Sequence, residues 1–385
     1  MTPSLFQPGG TGEDAAQIAA AFDPARLTQA RRLAGMTKAA VATEVGISPA
    51  AIGQFEAGTT SPRPDHLPAL GRALDVPITF FGSSRPHARL DASTAHFRSL
   101  RSTPVAQRAK AVAFVEQIWE LTYALEKRIQ FPPIDLPGFA GGEVIQDNFP
   151  TEASTAAQAL RVQWGLGTGP IPHLVRTLEN HGIVVTLTPF VDDQIAKVAA
   201  FSTSGLPRPV IVLTPDRGDD VYYHRFTAAH ELGHLLLHHE AVPGDVGQER
   251  EADAFAAEFL TPCSELIDQL PARVDFHAYD TLSHTWGVSI KSLIYRSREV
   301  GKISDVSARR AYQRLNQLRG LGFYPADPVL GYAGETPSLL AKAFALAEPE
   351  GLTLTTLAHE LSWKLSRLRL LLYGLDPRPQ LHLVD

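Results

Sequence analysis

From Asp23 to Leu74 the apolar positions fall into four short helical sets separated by turn residues. Leu27, Ala30, Leu33 and Ala34 recur at three- and four-residue spacing. They follow Asp23-Pro24, a capping aspartate with proline at the first helical position. Thr37 caps a second set, Ala40, Val41 and Val45. Gly46-Ile47-Ser48 is a tight turn whose serine caps a third helix, Pro49 to Glu56, which Gly58 stops. Pro62 and Pro64 mark a loop before Leu67, Leu70, Ala73 and Leu74. Short helices joined by a three-residue turn containing glycine make a helix-turn-helix layout.

The pattern divides the rest of the chain as follows. Residues 1–22 have no strong apolar period and are expected to be a mobile tail, with Ala15–Phe22 as a candidate short helix. Residues 23–84 hold the four helices, and 85–137 a linker with one long amphipathic helix, Val105 to Ile129. That helix either faces a core or pairs two copies. Residues 138–300 begin with helices at Ala153–Trp164 and Pro172–His181. Three β-rich runs follow, Ile183–Leu187, Ile195–Ser202 and Pro209–Thr214. A helix opening at Asp219-Asp220 runs to His239, and another spans Gln248–Pro262. Trp286-Gly-Val-Ser-Ile290 repeats the Gly-x-Ser turn of residues 46–48. It either closes this domain or reads DNA a second time. Residues 301–385 are expected to be a helical module without recognisable chemistry. The fold class is mostly α with a small β-sheet.

Chemistry concentrates at His230-Glu231-x-x-His234. On a helix, residues four apart share a face, so both imidazoles can aim at one tetrahedral zinc. Glu231 lies about 100° further round and reaches the water rather than the metal. The third ligand is expected on the second helix. Glu251 sits beside the apolar face of Ala252, Phe255, Ala256 and Phe259, where a carboxylate is costly unless paired or bound to metal. Glu249 and Asp253 are the alternatives. His238, one turn past His234, is expected to pack or cap, since three ligands on successive turns span about 12 Å. Ile195–Ser202 is a candidate edge strand for an extended substrate. Tyr222, Tyr223, His224, His277 and His284 are candidate donors to a developing oxyanion. His359-Glu-Leu-Ser-Trp363 starts like the motif but lacks the second histidine.

Composition narrows this picture. Of 385 residues, 44% are hydrophobic and 20% charged, enough to bury a real core in two or three domains. A net charge of -6 gives no global pull toward nucleic acid, so DNA binding must be local. The single Cys263 excludes an internal disulfide and a cysteine-built zinc site. The sequence shows no basic-then-apolar leader and no uninterrupted apolar run of about 18 residues. A cytoplasmic protein with no membrane partner is the expectation.

Arg26-Leu-x-x-Ala-Arg31, Gly35-Met-Thr-Lys38, Val45-Gly-Ile-Ser48, Ile52-x-x-Phe-Glu56, Gly58, Pro62, Leu67 and Leu74-x-Val76 resemble the XRE (Cro/cI-type) DNA-binding domain. The resemblance implies that Pro49–Glu56 enters the major groove of double-stranded DNA. Ser48, Ala50 and Gln54 would then lie nearest base edges, with Thr37 and Lys38 nearer the backbone. Basic residues barely outnumber acids in this block and the reading helix has none, so modest affinity and a homodimer are expected. His230-Glu-Leu-Gly-His-Leu-Leu-Leu-His238, followed by Glu249-x-Glu-Ala-Asp-x-Phe-Ala-Ala-Glu-Phe-Leu-x-Pro262, resembles the ImmA/IrrE family of zinc metallopeptidases. This implies a gluzincin-like domain with one zinc on His230, His234 and Glu251, and Glu231 as general base. It also implies a protein substrate or partner of repressor or toxin-like kind, cleaved in the control of genes. The competing readings are a regulator or antitoxin-like protein with a non-catalytic metal domain, and a peptidase that uses its helix-turn-helix only for docking.

Overall fold

The computed structural model describes residues 11–82, 86, 90, 95–97, 105–140, 143–144, 149–188, 200–214, 220–238 and 245–373. They fall into two units. One draws on residues up to 92, on 104–129 and on 343 onward; the other on 93–103 and 130–342.

In the first unit, α1 (Thr11–Ala20) precedes α2 (Pro24–Leu33), α3 (Lys38–Val45), α4 (Pro49–Ala57), α5 (Leu67–Ala73) and the long α6 (Val105–Glu126). Residues 11–20, expected within the tail, are therefore helical, and Ala15 is buried. The anticipated caps are made. The Asp23 carboxylate accepts from the Ala25 amide, Thr37 Oγ1 from Ala40 and Ser48 Oγ from Ala51. Gly46 ends α3 at φ 76°, a left-handed angle that costs glycine little. α6 is buried on nearly all sides from Ala111 to Leu125, which makes it a core helix; only Trp119 and Tyr123 turn outward. Its Glu120 meets the fully buried Arg26 of α2, and Gln29 Nε2 donates to the same carboxylate at 3.0 Å. A buried guanidinium survives only when so paired.

The second unit contains β1 (Ala95–Phe97), β2 (Phe139–Ala140), β3 (Glu143–Val144), α7 (Ala153–Gln163), α8 (Leu174–Asn180), β4 (Val184–Leu187), β5 (Ala200–Thr203) and β6 (Val210–Leu213). Then come α9 (Val221–Leu237), α10 (Val246–Leu260), α11 (Cys263–Leu266), α12 (Phe276–Trp286), α13 (Ile290–Glu299) and α14 (Asp305–Gly320). The main sheet runs β1-β5-β6-β4, with only the β4–β6 pair parallel. The region expected to be linker thus supplies a strand. Because β1 pairs with β5, β5 is not the open edge expected for strand addition. Of the expected strand Ile195–Ser202, residues 195–199 lie outside the described residues. The arginines of α14 (Arg309, Arg310, Arg314 and Arg319) are exposed, while Ala308, Ala311 and Leu315 face inward.

The chain closes with α15 (Leu339–Ala347), α16 (Leu354–Glu360) and α17 (Leu365–Tyr373). α16 and α17 belong to the first unit, where Arg367 donates to Gln117 of α6 and Glu360 pairs with Lys127 and Arg128. The region 301–385, expected as one module, is therefore divided: residues 301–342, with α14, fold in the second unit and those from 343 onward in the first. No helix among the described residues is long and apolar enough to cross a membrane.

Candidate metal centre

α9 starts where the Asp220 carboxylate accepts from the amides of Tyr222 and Tyr223. Two turns on, His230 and His234 share its buried face, with Nε2 atoms 3.0 Å apart. α10 crosses α9 at Gly233. A Cβ there would sit 3.0 Å from the Phe255 ring and 3.3 Å from the Ala252 Cα. The glycine makes room for the neighbouring helix. This close crossing fixes which residues of α10 face the histidines.

They are Glu249 and Asp253. Glu249 places Oε2 3.6 Å from His230 Nε2 and Oε1 3.4 Å from His234 Nε2. His230, His234 and Glu249 are the set whose ligand atoms converge. Glu251, expected as third ligand, is turned away: two residues on from Glu249, it is rotated by about 200° round the helix. Its side chain is 57% exposed, and Oε2 lies 2.9 Å from His238 Nε2. The expectation read the edge of an apolar stripe, whereas the crossing at Gly233 brings the Glu249–Asp253 side inward.

The hydrogen bonds assign the tautomers. Asp253 Oδ1 is 2.8 Å from His230 Nδ1, so that nitrogen donates and His230 Nε2 carries a lone pair. Glu251 accepts from His238 Nε2, leaving His238 Nδ1 to accept, at 2.9 Å, from His234 Nδ1. His234 Nε2 then carries a lone pair as well. Burial drives the His234 pKa down to about 4. Near neutral pH, two lone pairs and a carboxylate thus point at one spot, a demand that a cation meets. Tetrahedral zinc with bonds of about 2.0–2.1 Å sets ligand atoms about 3.3 Å apart. The Nε2–Nε2 separation of 3.0 Å, and the 3.6 and 3.4 Å from the two Glu249 oxygens to one imidazole each, lie near that value.

Glu231 is fully buried next to this set. Ser202 Oγ, on β5, donates to Glu231 Oε2 at 2.8 Å. No spacing pattern links residue 202 to 231; the sheet brings them together. Several of the anticipated oxyanion donors are committed elsewhere. Tyr222 donates to Asp327 and lies 3.0 Å from the Tyr332 hydroxyl, and His224 Nε2 donates to the Glu335 carbonyl. His284 Nδ1 donates to the Asp280 carbonyl, and His277 is exposed on α12.

In the first unit, Thr37, Lys38, Ser48, Ala50 and Gln54 are all exposed on the α3–α4 side. Lys38 and Arg31 both pair with Glu56. The Thr37 and Ser48 oxygens accept amide bonds as caps, which leaves their hydroxyl protons to donate outward.

Two comparisons complete the picture. Residues 178–298 match the family model of the IrrE N-terminal-like domain, and residues 27–81 match that of the helix-turn-helix. No curated protein matches the chain. The chain joins an XRE-type helix-turn-helix domain to an IrrE N-terminal-like domain of the M78 peptidase family.

Proposed function

We propose that this protein is a DNA-bound regulator whose second unit is a zinc endopeptidase acting on a repressor or another partner protein. The observation that carries it is the convergence of His230, His234 and Glu249 beside the buried Glu231, with the His230 tautomer set by Asp253 and that of His234 set by His238, which Glu251 orients. When bound, zinc supplies Lewis acidity and makes water acidic near neutral pH. Glu231 takes a proton at its carboxylate and delivers it to the leaving amine. The Ser202 hydroxyl orients that carboxylate by donating to Oε2. Asp253 and His238 hold the rings of His230 and His234 in register.

On the DNA side, α4 enters the major groove with Ser48, Ala50 and Gln54 at base edges, while Thr37 and Lys38 meet the backbone. The weak local positive charge favours a homodimer on two half-sites. Glu231→Gln tests the catalytic part. The variant should retain about one zinc per chain by metal analysis and lose cleavage of the partner. A variant that keeps full regulatory function in cells would favour the regulator with a non-catalytic metal domain.

A further inference from the structure

β5 meets the candidate site directly. Ser202 Oγ donates to Glu231 Oε2 at 2.8 Å and lies 3.3 Å from the Glu231 carbonyl oxygen. Ala200, two residues back on the same face, belongs to the core that holds Ala228, Ala229 and Leu232 of α9. The inner edge of β5 is taken by β6, in antiparallel pairs from Ala200 with Leu213 to Thr203 with Val210. Its outer edge is taken by β1, the end strand of the sheet. This pairing is also antiparallel, with Ala95 opposite Thr203, His96 opposite Ser202 and Phe97 opposite Phe201. Neighbouring strands lie about 4.8 Å apart. The backbone of residue 96 is therefore one strand spacing from the residue that holds Glu231.

β1 differs from the other strands in origin. β4, β5 and β6 follow one another along the chain and lead into α9, whereas β1 precedes α6. The chain leaves the first unit after residue 92, adds this strand to the second, and returns to the first at 104. β1 is three residues long, the short end of the usual range, so only a few ladder bonds hold it. A longer extended segment that offers the same backbone donors and acceptors to β5 can replace it.

We propose that β1 occupies the place of the substrate. The outer edge of β5 is the docking line for an extended segment of the partner protein, and that segment displaces β1 by pairing antiparallel with β5 beside Glu231. The inference rests on the peptidase reading and deepens it. The substrate is a stretch recognised through its backbone as an added strand, and cleavage stays slow until β1 leaves. A bare strand edge beside a catalytic carboxylate would pair with any extended chain, and β1 prevents this.

The test uses the full chain and a fluorescent synthetic peptide of residues 93–103. Successive amides of a strand point to opposite edges, so one of Ala95 and His96 turns its N–H toward β5 and the other turns it away. Ala95→Pro and His96→Pro are therefore a matched pair, in which one variant removes a ladder bond and the other does not. In the Glu231→Gln background, the variant that loses the bond should bind the peptide about tenfold tighter than the parent, and the other should stay near the parent. Hydrogen exchange gives a readout that needs no proline to fold: excess peptide added to the Glu231→Gln chain should speed exchange at residues 95–97 and leave β5 protected. With Glu231 restored, the opened variant should cleave the peptide faster than the parent. Equal peptide binding by the parent and both variants, with exchange at residues 95–97 unmoved by peptide, overturns the inference. Peptide bound as expected but never cleaved supports the docking edge and counts against the peptidase reading alone.

Discussion

The α3–α4 turn and the α9–α10 crossing are built at different ranges. In the turn, each structural decision is made within a few residues: Thr37 and Ser48 cap their own helices, and Gly46 reverses the chain between them. At the metal centre, α9 supplies two histidines, but the third donor is chosen by how a second helix rolls against the first at Gly233. A local motif names its own residues. A packed site names them only after the packing is known.

Long-range construction makes the metal-bearing unit the more sensitive to perturbation from inside. His224 is buried against the Glu335 carbonyl, and burial lowers its pKa from 6.5 to about 4. The folded state therefore resists a proton that the unfolded chain accepts. Stability should fall as pH drops from about 6.5 toward 4, with His224 contributing about 3 kcal/mol of that loss. Chemical denaturation of the second unit across this range, with and without His224→Gln, measures the contribution; equal pH dependence in both proteins would contradict it.

Gly233→Ala should cost about 2 kcal/mol by pushing a methyl into the Phe255 ring and the Ala252 backbone. It should also weaken zinc binding, because it shifts Glu249 relative to His230 and His234. Loss of stability with unchanged zinc affinity would separate the crossing from ligand choice. The local turn should respond less. Ser48→Ala removes the cap bond to Ala51 and should cost about 1 kcal/mol, read by thermal melting of the first unit. A cost equal to that of Gly233→Ala would erase the contrast.

Legibility in the sequence followed the same division. The four N-terminal helices, their caps, the two histidines and Glu231 could all be read from spacing, since each depends on neighbours within two turns. Glu249 could not be preferred over Glu251, because both border the stripe of Ala252, Phe255, Ala256 and Phe259, and only the contact at Gly233 sets the roll of α10. One signal was present: Glu249 and Asp253 lie four apart, as His230 and His234 do, so both pairs can face each other across two helices. Ser202 and β1 gave no sign, since sheet pairing between residues 95–97 and 201–203 leaves no periodic trace.

The central claim is that Glu249 holds the metal with His230 and His234, while Glu251 acts through His238. Zinc titration of Glu249→Gln and Glu251→Gln, side by side with the parent, tests it most directly. Glu249→Gln should fail to hold one zinc per chain, and Glu251→Gln should bind one with affinity lowered about 10- to 100-fold, as for an outer partner of a ligating histidine. Zinc lost in Glu251→Gln and kept at parental affinity in Glu249→Gln would contradict the account.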